Sequence, residues 1–398
     1  MLSVDEALTR LLEGVRSTDA EPVDLADAAG RVLVDHELVA AADVPPFANS
    51  AMDGFAIRSG DGAAERRIIG ESRAGGPPSP PVADGTAVRI MTGAPVPPGA
   101  DSVVPVEDVI EAGERISTTA APRAGAHVRP AGLDFVAGQR IRIARGPLTP
   151  SGIGLLATLG RAVVDVRRRP RVAILSTGDE LVDVGAELAP GQIHDANAPA
   201  LAAAVGEAGG QPVVVARAPD DPAAIEQCIR RATDGADLLV VSGGVSVGAH
   251  DHVRSVIEQL GTLDFWRIAV QPGKPLAFGR IGAVPVIGLP GNPVSALVTF
   301  ELFVRPMIRA MLGLVGDGRV RVDARVDEEI AKDPARRAYL RVRLDASLDG
   351  FRARSSGGQG SSQLLPLAVA NALLVVPEGA AATESGARYQ AIVLGSSE

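Results

Sequence analysis

The chain has 398 residues, more than one hydrophobic core usually organises, so about two to four domains are expected. Its 39 basic and 48 acidic residues leave a net charge of -9. This balance argues against nucleic acid as a partner, because binding to the phosphate backbone draws on clustered positive charge. The single cysteine, Cys228, excludes a disulfide framework and a cysteine-based zinc site. No apolar run is as long as a membrane span and the first residues lack a signal-peptide pattern, so we expect a cytoplasmic protein without a membrane partner.

The first part of the chain predicts a discontinuous helical region with a β-rich lobe inserted in it. Apolar residues recur at helical spacing over 3–17, and helical patterning returns at Ser151–Gly160. The sequence between them is rich in proline, glycine and short β-branched runs, which are typical of strands joined by tight turns. We therefore expect an N-terminal linker and dimerisation region at 1–168, with a β lobe at about 47–140.

From Arg171 the pattern changes to alternating strands and helices. Apolar β-branched runs such as RVAILSTG and DLLVVSGG are separated by helical segments such as PALAAAVGEAG. Strands joined in this way form right-handed crossovers and a mostly parallel sheet. The sequence therefore predicts a central α/β domain over 169–313, which ends in a long helix from Pro293. Short strand patterns over 314–398 predict a small barrel-like β domain, so the fold class is multidomain α/β plus β.

Four glycine-rich turns follow apolar runs of this α/β region. They read LSTGDE (Leu175–Glu180), VVSGGVSVGAHD (Val240–Asp251), QPGKP (Gln271–Pro275) and GLPGNP (Gly288–Pro293). Turns at the carboxyl ends of parallel strands gather along one crevice, where open α/β sheets bind ligands. Glycine lets the backbone approach an anion closely, and a helix that starts after the turn presents free N–H groups. We expect one cleft that suits a phosphorylated small molecule.

The candidate substrate-binding residues are those that the turns contribute to this cleft. They are Ser176, Thr177, Gly178, Ser242, Gly243, Gly244, Ser246, Gly248, Lys274, Pro290, Gly291, Asn292 and Pro293. A purely structural interpretation also exists for the last turn. Asn292 is a good N-cap for the following helix, and Pro293 suits its first position.

Acidic residues at loop and helix-start positions add a possible magnesium site. Glu180, Asp220, Asp221 and Asp251 occupy such positions, and Mg²⁺ needs only one or two carboxylates beside the phosphate oxygens of a substrate. For Asp220 and Asp221, stabilisation of a helix N-terminus is the competing explanation.

Motifs in order along nearly the whole chain resemble the molybdopterin molybdenumtransferases of the MoeA type, which are related to the gephyrin E domain. These motifs are PPFANSAMDGFA, RIMTGAPVPPGAD, LSTGDEL, GQIHDAN, SGGVSVGAHD, QPGKPLAFG, GLPGNPVSA and GGQGSS (Gly357–Ser362). The resemblance implies that adenylylated molybdopterin and molybdate are converted to molybdenum cofactor and AMP, with Mg²⁺. It also implies a homodimer whose active site combines the sheet domain of one subunit with the N-terminal region of the other. A molybdopterin adenylyltransferase is the protein partner that this chemistry suggests.

The resemblance also implies roles for individual residues. The implied catalytic residues are Asp53, Thr92, Asp134, Glu180, Asp220 and Asp251. Asp53, Thr92 and Asp134 would belong to the side of the site that the partner subunit contributes. Glu180 and Asp251 are the candidates for binding Mg²⁺.

The chain departs from the family pattern near these motifs. Ala48 stands where the family usually has aspartate, Phe55 replaces tyrosine, and Leu133 replaces an acid. Arg267 and Gln271 lie where some members have lysines, and only Arg267 keeps the charge. These departures bear on anion affinity and on the choice between molybdate and tungstate more than on insertion itself.

Two other functions stay open at this stage. Molybdopterin adenylyltransferases share the sheet domain, although the additional N- and C-terminal domains and the NSAMDGFA motif argue against that activity. A non-catalytic molybdopterin-binding carrier or scaffold is the second alternative, which the gephyrin relationship allows. Tight ligand binding without AMP release would favour the second alternative.

Overall fold

A computed structural model describes residues 1–244 and 252–395, without the side chains of Phe265 and Trp266. The chain forms two compact units. One unit combines Met1–Pro22 and Gly30–Val32 with the chain from Asp165 onward, and the other contains Val23–Ala29 and Leu33–Val164. The first helix therefore belongs to the same unit as the α/β sheet. The domain limits given above stay a prediction.

The helices of the described residues include one at the N-terminus, one near residue 150 and most of the others in the α/β region. They are α1 (Val4–Leu12), α2 (Pro150–Thr158), α3 (Asn197–Glu207), α4 (Pro222–Thr233), α5 (His252–Leu260), α6 (Pro293–Thr299), α7 (Arg305–Met311) and α8 (Leu364–Val369). A π-helical turn, Phe300–Val304, joins α6 to α7. Within the described ranges, no helix has both the length and the apolar character needed to cross a membrane.

Helix α1 is shorter than its apolar spacing predicted. It begins with a capping box, in which Ser3 Oγ accepts from the Glu6 N–H and the Glu6 carboxylate accepts from the Ser3 N–H. It ends at Leu12 and not at residue 17, because Glu13 is extended and Gly14 has a φ of +82°. A positive φ at this point ends the helical path, which glycine allows without steric cost.

The first strands of the chain lie mainly in the second unit. They are β1 (Ala20–Asp24), β2 (Glu37–Val39), β3 (Asn49–Ser50), β4 (Gly54–Ile57), β5 (Arg66–Ser72), β6 (Thr86–Ile90), β7 (Ser102–Pro105), β8 (Val109–Ala112), β9 (Arg115–Thr118), β10 (Val128–Arg129), β11 (Arg140–Arg142) and β12 (Val163–Arg167). A six-stranded sheet has the order β7-β4-β6-β5-β9-β8 and lies within the span predicted as a β lobe. Phe55, Ile57 and Ile116 form part of its core.

The α/β domain contains the next group of strands. They are β13 (Arg171–Thr177), β14 (Leu181–Val182), β15 (Ile193–His194), β16 (Gln211–Ala218), β17 (Leu238–Ser242), β18 (Thr262–Arg267), β19 (Val270–Gln271), β20 (Pro275–Ile281) and β21 (Val284–Leu289). The central sheet has the order β16-β13-β17-β21-β20-β18. Strands β16, β13, β17 and β21 are parallel, and β20 is antiparallel to both of its neighbours.

The two faces of this sheet are both buried. Val172 and Ile174 of β13 pack into one core with residues of α1, α3, α6 and α7, while Ala173 and Leu175 pack into a second core with α4 and α5. This two-sided burial explains why the strands read as continuous apolar runs and not as alternating ones. Because both faces of the sheet are apolar and buried, the polar turns lie at the strand ends, along the edge of the sheet.

The last strands form a closed five-stranded barrel, which confirms the predicted barrel-like C-terminal domain. They are β22 (Arg321–Val326), β23 (Arg337–Ser347), β24 (Gly350–Ser355), β25 (Ala372–Val376) and β26 (Arg388–Val393). Strand β23 pairs with both β24 and β25, and this double pairing closes the barrel. Strand β19 adds to β23 in parallel, so Gln271 lies opposite Ala338 and the QPGKP turn borders the barrel.

Candidate active site

A cleft of about 910 Å³ lies at the edge of the α/β sheet where β13, β17 and β21 end. The strand register aligns these ends, since Ser176 pairs with Ser242 and Ser242 pairs with Leu289. The predicted site residues that line the cleft are Thr177, Gly178, Glu180, Asp220, Ser242, Gly243, Gly244, Lys274, Pro290, Gly291, Asn292 and Pro293. A cleft of this size accommodates a small organic ligand.

The remaining predicted site residues are either buried, outside the described residues or in the second unit. Ser176 is buried behind the cleft lining. Ser246, Gly248 and Asp251 lie outside the described residues. Asp53, Thr92 and Asp134 all belong to the second unit, so they are a separate group within the chain.

Glycine brings the turns of the cleft into close backbone contact. Gly243 has a φ of +89°, and a Cβ atom there would lie 2.8 Å from the carbonyl oxygen of Thr177. A Cβ atom on Gly291 would lie 3.6 Å from the Cα of Gly243. Gly244, with a φ of +61°, leaves no room for a side chain beside Val253. The turns after β13, β17 and β21 are therefore packed backbone against backbone.

Two buried hydroxyl groups at the end of β13 find no hydrogen-bond partner among the described residues. Ser176 is 0% exposed and Thr177 is 5% exposed, and neither hydroxyl makes a hydrogen bond with any described residue. An unpaired buried hydroxyl costs about 1–3 kcal/mol. Thr177 also lines the cleft, although its hydroxyl oxygen has almost no exposed surface of its own.

The GQIHDAN motif starts α3 at the side of the cleft. Asp195 Oδ1 accepts from the N–H groups of Asn197 and Ala198, each at 3.0 Å, and so stabilises the helix start. The Asn197 amide donates to Ser242 Oγ at 2.8 Å and to the Gly291 carbonyl at 2.7 Å. The sequence indicates no site role for Asp195 or Asn197 beyond their place in the family motif.

Acidic residues approach the cleft from two turns. Glu180 is exposed, and its Oε2 would lie 2.5 Å from a Cβ atom on Gly178, so glycine makes room for this carboxylate. Asp220 lines the cleft, and its N–H donates to Asp179 Oδ1 at 2.9 Å. Asp221 Oδ2 accepts from the Ala224 N–H at 2.8 Å, so the helix-start explanation is correct for Asp221. Among the described residues, no group of three or more potential metal ligands occurs.

Positive charge reaches the cleft from the QPGKP turn and the barrel. The Lys274 ammonium is exposed and forms no ion pair with the described residues. Arg336 also lines the cleft, with Nη2 at 2.6 Å from Asp333 Oδ2. Gln271 is uncharged, and its Oε1 accepts from the Asp333 N–H at 2.8 Å.

A buried arginine supports the GGQGSS loop, which completes the cleft from the barrel side. Arg341 is 1% exposed, and its Nη2 donates to the carbonyls of Gly358 and Gly360 at 3.0 and 3.1 Å. No described carboxylate pairs with it, and Nε has no partner among the described residues. Burial lowers the pKa of Arg341 to about 10, so the guanidinium stays charged at neutral pH. Nothing in the strand pattern around Arg341 indicated this role.

The GLPGNP turn contacts the same loop through Asn292. Asn292 is the N-cap residue of α6 as predicted, but its side chain makes no capping hydrogen bond. Its Nδ2 donates to Ser361 Oγ at 3.1 Å instead. The amide therefore joins the sheet edge to the barrel loop. Pro293 occupies the start of the helix as predicted.

In the second unit, the NSAMDGFA and RIMTG motifs meet. Asp53 Oδ1 accepts from the Thr92 N–H at 2.6 Å and from Thr92 Oγ1 at 2.7 Å. The backbone hydrogen bond and then the side-chain hydrogen bond from Thr92 lower the pKa of Asp53, so its carboxylate is charged at neutral pH. Asp134 is exposed, and its N–H donates to the Val44 carbonyl at 2.9 Å.

Three family models match the chain in order. The MoeA N-terminal region (domain I and II) matches residues 2–160, the probable molybdopterin binding domain matches 173–310, and the MoeA C-terminal region (domain IV) matches 323–394. Molybdopterin molybdenumtransferase 2 of Mycobacterium tuberculosis is 37% identical, over 98% of this chain and 99% of that protein. The chain belongs to the MoeA family of molybdopterin molybdenumtransferases.

Further relatives agree with this family assignment. The molybdopterin molybdenumtransferase of Haemophilus influenzae is 39% identical, over 79% of this chain and 78% of that protein. The crystal structure of the molybdopterin biosynthesis MoeA protein from Pyrococcus horikoshii matches with a TM-score of 0.84 and 31% identity, over 100% of both chains. The resemblance found in the sequence motifs is therefore confirmed, and the protein has the MoeA-like multidomain fold.

Substituting Gly243 by alanine tests the close approach of the turns. We expect Gly243→Ala to lower the free energy of unfolding by about 1–3 kcal/mol from backbone strain alone, and by more because the Cβ atom meets the Thr177 carbonyl. Urea unfolding measures the loss. Gly282→Ala is the matched control, since Gly282 has a φ of +58° and no atom within 4 Å of the added Cβ. Equal losses in the two variants would contradict the close packing.

Proposed function

We propose that this protein inserts molybdate into adenylylated molybdopterin and releases AMP, giving molybdenum cofactor in a Mg²⁺-dependent transferase reaction. The observation that carries the proposal is the alignment of three strand ends on one cleft, which residues of all four glycine-rich turns line. The molybdenumtransferase names of relatives with 37–39% identity support the same reaction.

The geometry suits a nucleotide-bearing substrate. Gly243 and Gly291 let a phosphate group approach the backbone, and α3 and α6 both begin at the cleft. The N–H groups of Asn197 and Ala198 at the start of α3 donate to Asp195, and the Val294 N–H at the start of α6 donates to the Ser361 carbonyl. The helix dipoles, and not free N–H groups, would therefore favour negative charge at these helix starts. Binding energy from the pterin and adenylyl parts would then hold the reacting groups in place, which is the main contribution of such a site.

The carboxylates of the cleft fit a magnesium ion. Glu180 and Asp220 line the cleft and offer the oxygen ligands that Mg²⁺ prefers. A magnesium ion would need only these ligands, water and the substrate's phosphate oxygens, so the absence of a three-residue cluster in the described part of the chain does not argue against it. When bound, the ion would neutralise charge on the phosphate oxygens as AMP leaves. Asp251, the other proposed ligand, belongs to the undescribed segment.

Molybdate is the anionic second substrate, and we assign its attraction to the cationic side of the cleft. Lys274 and Arg336 line this side, and Arg341 lies directly beneath the loop that contributes Ser361. The buried charge of Arg341 is weakly screened and attracts anions even in an acidic protein, whereas Lys274 is exposed and Arg336 is paired with Asp333. Because Gln271 is uncharged, this side of the cleft has one positive charge fewer than in the family members that have lysine at this position.

We further propose that the working enzyme is a homodimer, in which Asp53, Thr92 and Asp134 complete the cleft of the other subunit. The second unit exposes several large apolar side chains, each between 45% and 59% exposed, at Val39, Phe47, Leu133 and Val136. The two segments that contain these side chains are joined by the β-bridge between Val44 and Phe135. Exposed apolar side chains on neighbouring segments are typical of a protein interface. A second copy of the chain would bury them.

The proposed reaction also implies where the substrate comes from. An adenylylated molybdopterin must be supplied by an adenylyl transfer reaction, so a molybdopterin adenylyltransferase is the proposed protein partner. We place both reactions in the cytoplasm.

Release of AMP by the purified protein tests the function. With adenylylated molybdopterin and Mg²⁺, we expect AMP release only when molybdate is added, measured by chromatography. Adenylylation of molybdopterin from ATP would identify the protein as an adenylyltransferase. Tight binding without release would identify a carrier.

The role of Glu180 is tested by removing its charge. Glu180→Gln is expected to abolish Mg²⁺-dependent AMP release and to leave the unfolding midpoint unchanged, because the side chain is exposed at the cleft. Glu187→Gln, at an exposed loop position outside the cleft lining, is the control. Normal turnover in Glu180→Gln would refute the assignment.

The charge at the QPGKP turn should set the affinity for molybdate. One added charge is worth about 1–4 kcal/mol at 4 Å for each unit of charge on the anion. We therefore expect Gln271→Lys to lower the half-saturating molybdate concentration by about fivefold or more, and Lys274→Gln to raise it by a similar factor. Gln227→Lys on α4 makes the same charge change away from the cleft lining and should have no effect.

Mixing two inactive variants tests the shared site. Asp53→Asn and Glu180→Gln should each lose most AMP release when alone. After random exchange of subunits, half of the dimers are mixed and each has one intact site, so activity should recover to about a quarter of the wild-type value. Recovery indistinguishable from zero, with exchange verified by mass spectrometry, would contradict a site built from two subunits.

A further inference from the structure

The side chain of Asn197 joins two turns that are distant in sequence. Its Nδ2 donates to Ser242 Oγ at 2.8 Å and to the Gly291 carbonyl at 2.7 Å. Ser242 is the last residue of β17, and Gly291 follows β21. The backbone N–H of Asn197 is held in turn by Asp195, which is buried. The amide therefore spans the sheet edge from a fixed helix start.

This contact determines what the Ser242 hydroxyl can do. An amide nitrogen only donates, so Ser242 Oγ must accept the hydrogen bond from Asn197. The hydroxyl proton is then left to donate elsewhere, and within the described residues it has no other partner. Ser242 is 2% exposed and lines the cleft. A hydrogen-bond acceptor on the ligand satisfies this donor.

We propose that Asn197 is a positioning residue for substrate binding, which fixes the Ser242 hydroxyl as a donor to a phosphate oxygen of the substrate. The same amide holds Gly291 in place against Gly243, so the two turns keep the spacing that the phosphate group needs. This inference rests on the proposed function, because it assigns the acceptor to the adenylylated substrate. The phosphate oxygens are the strongest acceptors that such a substrate brings to the glycine turns.

The proposal predicts that Asn197 and Ser242 act as one unit. A hydrogen bond to a charged acceptor such as a phosphate oxygen is worth roughly tenfold or more in binding. Asn197→Ala and Ser242→Ala should therefore each raise the KM for adenylylated molybdopterin by roughly tenfold, with a smaller effect on kcat. Their combination should be no worse than the more damaging single variant. Asn197→Asp keeps the shape but replaces the donor by an acceptor facing the Gly291 carbonyl, so it should be at least as damaging as alanine.

A second asparagine provides the matched control. Asn371, in the barrel, donates to the Leu344 carbonyl at 3.1 Å and accepts from the Leu344 N–H at 2.6 Å, and it does not line the cleft. Asn371→Asp should lower the unfolding midpoint and leave the KM unchanged. Circular dichroism of the Asn197 variants separates a local effect from a loss of fold.

The outcomes distinguish this role from the proposed function. An unchanged KM in Asn197→Ala, or a double variant whose loss is the product of the two single losses, would overturn the positioning role. A wild-type protein that releases no AMP would contradict the proposed function instead. In that case, calorimetric titration of the same variants with AMP and with adenosine tests the positioning role alone. A weakening confined to AMP supports it, and equal weakening for both ligands, or no binding of AMP by the wild type, overturns it.

Discussion

The parallel register of β13, β17 and β21 is the constraint on which the rest of the site depends. Ser176, Ser242 and Leu289 lie side by side, so three turns leave the sheet at one level. A slip by one residue would displace a turn by about 3.3 Å along the strand and would separate Gly243 from Gly291. The two buried cores on either side of the sheet hold this register. The polar chemistry of the cleft is therefore positioned by apolar packing.

An acidic protein can bind anionic ligands here because the positive field is local. The chain as a whole carries a net charge of -9, but Lys274 and Arg336 line the cleft, and the buried Arg341 holds the loop that contributes Ser361 to it. Arg341 is stabilised by backbone carbonyls and not by a carboxylate, so its charge is not neutralised by a described ion pair. The carboxylates of Glu180 and Asp220 lie on other turns. This separation of charge suits a reaction that combines a metal ion with two anionic substrates.

Much of the α/β domain could be predicted from the sequence, and the reasons are local. Apolar runs ending in glycine turns indicated β13, β17 and β21, and the helical pattern of PALAAAVGEAG indicated α3. The contacts of Asn197, Asn292 and Arg341 could not be predicted, because their partners lie far along the chain and depend on the fold. Asn292 shows the limit of local reasoning, since its position is that of a cap while its amide contacts Ser361. The roles assigned to Asp53 and Thr92 came from family resemblance and not from any local pattern.

The central claim is that separate turns form a single binding site for the nucleotide-bearing substrate. Backbone hydrogen exchange, followed by mass spectrometry with and without AMP and molybdate, measures this most directly. We expect peptides containing 175–180, 242–244, 289–293 and 357–362 to slow their exchange together, with the same dependence on ligand concentration. Slower exchange in one of these turns alone, or only in peptides away from the end of the sheet, would contradict it.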